Sequence, residues 1–219
     1  MRESILSFHE QFSYTPKIHN LSALHRRNRF IAVGMGGSNL APALLMRAYP
    51  GTDIFIHRDY GLPQSLGDAL RERLIIISSY SGNTEEAIDA FHTAIRHHCA
   101  LAVITTGGEL MRLALHHGVP YVELPKTGIQ PRLAIGFHLK AMLALMGRSD
   151  ASKEISTLVT TLRAHDVEEQ GKTLANKLKR KIPVIYASTS NEDIAYNWKI
   201  KMNETAKIPA FVNVFPELN

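Results

Sequence analysis

The run Leu74-Ile75-Ile76-Ile77-Ser78 carries apolar side chains at consecutive positions rather than at alternate ones. Successive side chains of a strand point to opposite faces, so this run has no face for solvent and must be covered on both sides. Helices are the usual covers, and such a strand belongs inside a parallel sheet whose crossovers supply them. The flanking sequence has the same rhythm. Candidate strands Phe30–Gly34, Asp53–His57, Leu101–Thr105 and Pro120–Glu123 alternate with amphipathic helical patterns, clearest over Thr84–His98 and Glu109–His117. The pattern predicts an α/β fold with a doubly wound, five-stranded parallel sheet and short right-handed crossovers.

After Pro131 an apolar helix is expected to run to about Gly147 and to pack on the sheet; the first domain then spans 1–150, with a helix at its N-terminus. Residues 151–182 read as a polar helical connector. At Pro183 the alternation restarts with PVIYAS, a helix over Asn191–Lys207 and AFVNVF, so 183–219 reads as the beginning of a second, incomplete α/β domain. The stripe Ile194, Trp198, Met202 at four-residue spacing reads as core.

Bulk properties narrow the function classes. No apolar run approaches the roughly 18 residues of a membrane span. The N-terminal MRESILSFHEQF lacks the apolar stretch of a signal peptide, so the cytoplasm is the expected location. The net charge of +5 is diffuse, and the cluster Lys177-Leu178-Lys179-Arg180-Lys181 fits a solvated helix face better than a nucleic-acid stripe. The lone Cys99 permits no internal disulfide and reads as a buried, inert thiol. His97-His98 and His116-His117 close helical patterns without a third ligand at metal spacing, and His57, His138 and Trp198 read as packing or surface residues. Neither a metal nor another cofactor is expected.

Two loops leave the C-terminal ends of predicted strands, where open α/β sheets bind ligands. In Gly34-Met35-Gly36-Gly37-Ser38, glycines allow close backbone approach ahead of a helix N-terminus. The dinucleotide rival fails at Asn39, where a third glycine is required, and lacks an acidic residue ending the second strand. In Ser78-Ser79-Tyr80-Ser81-Gly82-Asn83-Thr84, hydroxyls at Ser79, Ser81 and Thr84 join the free N–H groups of a first helical turn into a cradle for a phosphate dianion. The bland reading is that Thr84 merely caps the helix, with Glu85 and Glu86 complementing its dipole. Further along, Glu204 falls at a helix end because Pro209 forces Ile208 to extend, and the dipole there opposes a carboxylate. A function explains it; pairing with Lys201 or Lys207 is the alternative. For Arg132 the alternative is a surface ion pair at a helix start.

The segment SSYSGNTEE resembles the phosphate loop of the SIS, or sugar isomerase, fold. With GMGGSNLAP, LPKTGIQPR and WKIKMNETAKIPAFVNVFPELN, the chain resembles the bifunctional phosphoglucose/phosphomannose isomerase family from about Phe30 to Asn219. The resemblance implies that Gly36, Gly37, Ser38, Ser79, Ser81 and Thr84 hold a sugar phosphate. It implies that Arg132 stabilises an enediolate and that Glu204 shuttles the proton between C1 and C2. The activity implied is interconversion of glucose 6-phosphate, and of mannose 6-phosphate, with fructose 6-phosphate, as in glycolysis and gluconeogenesis. The site would lie between two SIS domains of a homodimer. A ring-opening histidine from the neighbouring subunit would follow Glu217-Leu218-Asn219, and a C-terminal lysine would lie further on. Without them the 219-residue chain is expected to bind sugar phosphates but to isomerise them slowly. The rival is a non-catalytic SIS-type binding or regulatory module, which needs the phosphate loops but neither Glu204 nor Arg132.

Overall fold

A computed structural model describes residues 1–217; Leu218 and Asn219, and with them the end of the ELN motif, lie outside the described residues. The chain opens with α1 (Arg2–Leu6), a 3-10 segment Phe8–Ser13 and the two-residue strand β1 (Ile18–His19). Then follow β2 (Arg29–Val33), α2 (Leu40–Ala48), β3 (Asp53–His57), β4 (Leu74–Ser78), α3 (Glu85–Arg96), β5 (Ala100–Thr105), α4 (Gly108–His116) and β6 (Tyr121–Glu123). The sheet order is β1-β6-β5-β4-β2-β3; all neighbours are parallel except β1, which pairs antiparallel with β6. The five expected parallel strands are present, and β1 adds a short edge that two residues are too few to announce.

Strand β4 is buried at all five positions. Leu74 and Ile76 join the core cluster on one face, with Leu40, Leu45, Phe137 and Met142. Ile75 and Ile77 point to the other face, among Ala87, Phe91, Leu110 and Leu113 of α3 and α4. Each such side chain contributes about 1.5–3 kcal/mol by burial, so the unbroken apolar run is what clamps the two helical layers together.

The apolar segment after Pro131 forms two pieces: one tight turn at Pro131–Leu133, then α5 (Ile135–Leu145). Proline at the first position of a helical turn lets the chain turn there. Past it, the connector is more broken than the two helices expected: α6 (Ser149–Ser156), α7 (Leu158–Thr161), a turn at Ala164–Val167 and α8 (Glu168–Leu178). Only the first two residues of the basic cluster lie in α8, and Arg180 takes a left-handed conformation. The last segment is β7 (Val184–Ser188), α9 (Glu192–Lys201), a wide turn and β8 (Phe211–Phe215), with β7 and β8 paired parallel in a sheet of their own.

Two burial expectations are corrected. Cys99 is half-buried, and its thiol faces the His97 carbonyl, with burial pushing its pKa up. The stripe on α9 is divided: Ile194 and Trp198 are 43% and 46% exposed. Helical spacing marks one apolar face, but a face becomes core only when something covers it. Ala195 and Ile200 are the buried ones, and Ile200 joins the core cluster that the α2 residues Leu40, Ala41 and Leu45 also enter.

Candidate functional site

Strand β2 has β3 on one side and β4 on the other, so the direction of winding reverses between β2 and β4. The loops leaving these two strands diverge there and open a crevice at the C-terminal edge. They are the glycine loop and the serine-threonine loop.

The second loop is held by its own hydroxyls. Ser79, 1% exposed, has its Oγ 2.8 Å from Thr84 Oγ1 and accepts the Gly82 N–H at 3.1 Å. Ser81 Oγ accepts the Asn83 N–H at 3.2 Å. Thr84 is the N-cap residue of α3 but makes no side-chain cap to it, and Glu85 and Glu86 stand in the first turn. Gly82 has φ of +74°, and a Cβ there would lie 1.8 Å from the Gly107 carbonyl oxygen. The turn after β5 is bolted to this loop: the Thr106 hydroxyl donates to Tyr80 O at 2.6 Å, and Asn83 Oδ1 accepts the Glu109 N–H at 2.9 Å.

The glycine loop lies against the turn that carries Arg132. A Cβ at Gly37 would stand 2.9 Å from the Arg132 amide nitrogen, so only glycine allows the two backbones this close. Ser38 and Asn39 are buried beneath, and the Asn39 amide donates to the Gly34 carbonyl. A Cβ at Gly36 would be 4.0 Å from Glu204 Oε1.

Arg132 is buried, with its side chain 9% exposed against 44% for Glu204. Its Nη1 donates to Glu204 Oε2 and to Gln130 Oε1, both at 3.4 Å, and its Nε donates to Thr205 Oγ1 at 2.9 Å. The glutamate stands in the wide turn Met202–Ala206 that follows α9, a widening often found at functional positions. Its ion pair is with Arg132 rather than with Lys201 or Lys207. Lys201 Nζ bonds Asn197 Oδ1 at 2.6 Å; burial first, and the Arg132 charge second, hold its pKa below the usual lysine range.

The structure therefore brings Gly36, Gly37, Arg132 and Glu204 together, with Ser38 under them, and sets Ser79, Ser81 and Thr84 on the adjoining strand's loop. Thr205, Asn83, Asn39 and Lys201 are neighbours that sequence reasoning did not select for the site. Thr205 and Asn83 stand within the motifs beside residues already chosen, but nothing in their type or spacing marks their hydrogen bonds.

The doubly wound sheet, with a glycine loop and a hydroxyl-lined helix start leaving the strands at its winding reversal, has the SIS, or sugar isomerase, fold. Comparison with known proteins agrees. The bacterial phospho-glucose isomerase C-terminal SIS domain model matches residues 167–219. The bifunctional phosphoglucose/phosphomannose isomerase of Thermoplasma acidophilum is 33% identical over 194 residues, which is 88% of this chain and 60% of that protein. That of Aquifex aeolicus is 34% identical over 190 residues, or 85% of this chain and 58% of the relative. Among solved structures, the C-terminal domain of glucosamine-fructose-6-phosphate aminotransferase from Francisella tularensis superposes with a TM-score of 0.67, covering 97% of this chain and 68% of its own at 12% identity. That likeness speaks for the fold alone. The chain is similar to bifunctional phosphoglucose/phosphomannose isomerases over most of its own length, and spans about 60% of the length of the relatives it matches.

Proposed function

We propose that the chain binds a hexose 6-phosphate and moves a proton between C2 and C1, interconverting glucose 6-phosphate or mannose 6-phosphate with fructose 6-phosphate. The observation that carries this is the Glu204 carboxylate paired at 3.4 Å with the buried Arg132, beside the glycine loop. The phosphate is anchored by Ser79, Ser81, Thr84 and the N-terminus of α3, with Gly36, Gly37 and Ser38 closing the other wall of the crevice. From the open-chain aldose, Glu204 takes the C2 proton, and the electron pair forms the C1–C2 double bond as the carbonyl oxygen becomes an enediolate oxygen. Arg132, charged at any working pH, stabilises that oxygen. Glu204 then returns the proton to C1, the C2 hydroxyl proton passes to the C1 oxygen, and the ketose results. One carboxylate can do both halves because it is base and conjugate acid in turn.

A binding-only module has no need of a carboxylate beside a buried guanidinium, and here the two are in contact. Val184, Tyr186 and Trp198 expose a continuous apolar face on β7 and α9, which supports the further proposal that the chain works as a homodimer. Among the described residues, no helix is long and apolar enough to cross a membrane.

The test is a coupled assay with glucose 6-phosphate alongside calorimetry with fructose 6-phosphate. Glu204→Gln is expected to lower turnover by at least roughly a hundredfold while fructose 6-phosphate binding is retained. Loss of binding with turnover, or turnover kept, would place the chemistry elsewhere.

A further inference from the structure

Arg132 is gripped by consecutive residues. On an ordinary α-helix, neighbours in sequence point about 100° apart and do not share a contact. Here Glu204 reaches Nη1 of Arg132 while Thr205 reaches Nε of the same guanidinium, at 2.9 Å. The wide turn Met202–Ala206 makes this possible, and Lys207 at φ +57° ends it. Asn203 also serves the turn, its Oδ1 accepting the Ala210 N–H at 2.9 Å, so the segment after α9 is fixed at both ends.

A guanidinium is a planar fork whose usefulness depends on orientation. The Gln130 and Glu204 contacts are long, at 3.4 Å, and both fall on Nη1, which leaves the swing of the whole planar group about the Cδ–Nε bond weakly restrained. The Thr205 bond is the short one. It fixes the Nε edge, and Nη2 has no partner among the described residues. A threonine hydroxyl is a neutral acceptor, so it holds the fork without neutralising it, as a second carboxylate would.

Building on the isomerase reading above, we propose that Thr205 is a positioning residue: by accepting the Arg132 Nε–H it sets the guanidinium plane so that the free edge faces the oxygen that becomes the enediolate. Its effect then falls on the charged intermediate rather than on the ground-state sugar phosphate.

The test uses the full 219-residue chain and two probes, fructose 6-phosphate and 5-phospho-D-arabinonohydroxamate, a planar mimic of the enediolate. Binding of both is measured by calorimetry for the wild type, Thr205→Val, Thr205→Ser and Arg132→Gln. The valine variant keeps the shape and loses the acceptor. It should weaken the hydroxamate by at least about tenfold and change fructose 6-phosphate by less than about threefold, and Thr205→Ser should restore most of the loss. Hydroxamate affinity within about twofold of wild type in Thr205→Val overturns the role of Thr205, provided Arg132→Gln abolishes the preference. Equal weakening of both probes also overturns it, since Thr205 would then serve ground-state binding as much as the enediolate mimic. If the wild type itself shows no preference for the hydroxamate, the isomerase reading fails and this inference fails with it.

Discussion

Gly82 turns the serine-threonine loop at φ +74° with the Gly107 carbonyl lying where a side chain would begin. Both features exclude any other residue, since an L side chain is strained at that φ and the clash is with backbone. Gly82→Ala is therefore expected to push the Thr105–Gly108 turn off the loop and to scatter the Ser79, Ser81 and Thr84 hydroxyls. Fructose 6-phosphate affinity measured by calorimetry should fall by more than about tenfold, as for loss of two or more hydrogen bonds to a charged group. Retained affinity would show that the phosphate sits elsewhere. At this scale the sequence was informative wherever a residue type has one strong reason to be present. The glycines and the three hydroxyls are legible from their type and place and Glu204 from its position against the helix dipole, whereas Arg132 is singled out by the family resemblance alone. Thr205 is not legible, because a threonine near a helix end has many reasons to be there. Its bond to Arg132 spans 73 positions and depends on a turn wider than an α-helix.

Helix α5 links the two halves of the site. The turn before it carries Arg132, and six residues further on His138 is fully buried with its Nδ1 2.9 Å from the Ser78 hydroxyl, at the start of the serine-threonine loop. Burial lowers the His138 pKa to about 4 from its ordinary 6.5. Between these values the unfolded chain binds a proton that the folded chain refuses, so stability falls as pH drops through the window and is fully kept above it. By pH 4 the loss from this group reaches about 3 kcal/mol. Urea unfolding between pH 7 and pH 4.5 should show this decline, and His138→Gln should flatten that part of it. An unchanged slope in the variant would mean that His138 is not the group responsible. Elements were legible in the sequence when one face or both had a clear partner. Strand β4 was read from its apolar run and α3 from its period, to within two residues at its C-terminal end. The helix after Pro131 reads as one because its composition is apolar throughout, whereas the backbone leaves helical geometry at Ala134, between the turn and α5.

For the whole molecule, the six-stranded sheet has a covered core on both faces, and the β7–β8 pair does not. Ile182, Val184 and Tyr186 are 61%, 52% and 55% exposed, and Trp198 lies beside them on α9. If a second copy covers this face, the chain should sediment as a dimer at micromolar concentration, and Trp198→Glu should shift it toward the monomer. A wild-type chain that stays monomeric would contradict the dimer proposal while leaving the site untouched. The α9 stripe was expected to be core because periodicity reports a face and is silent about what lies opposite. The doubly wound sheet was legible because its order follows from alternating strands and helices, whereas packing between α9 and α2 rests on pairings far apart in sequence. Those pairings bring Glu204 to Arg132, the contact that sequence alone could least foresee. Deuterium exchange tests Glu204 as the base most directly. Fructose 6-phosphate incubated in heavy water with the chain should gain deuterium at C1, read by proton NMR, and Glu204→Gln should slow that gain by at least roughly a hundredfold. No exchange with the wild type, or equal exchange with Glu204→Gln, would contradict Glu204 as the base.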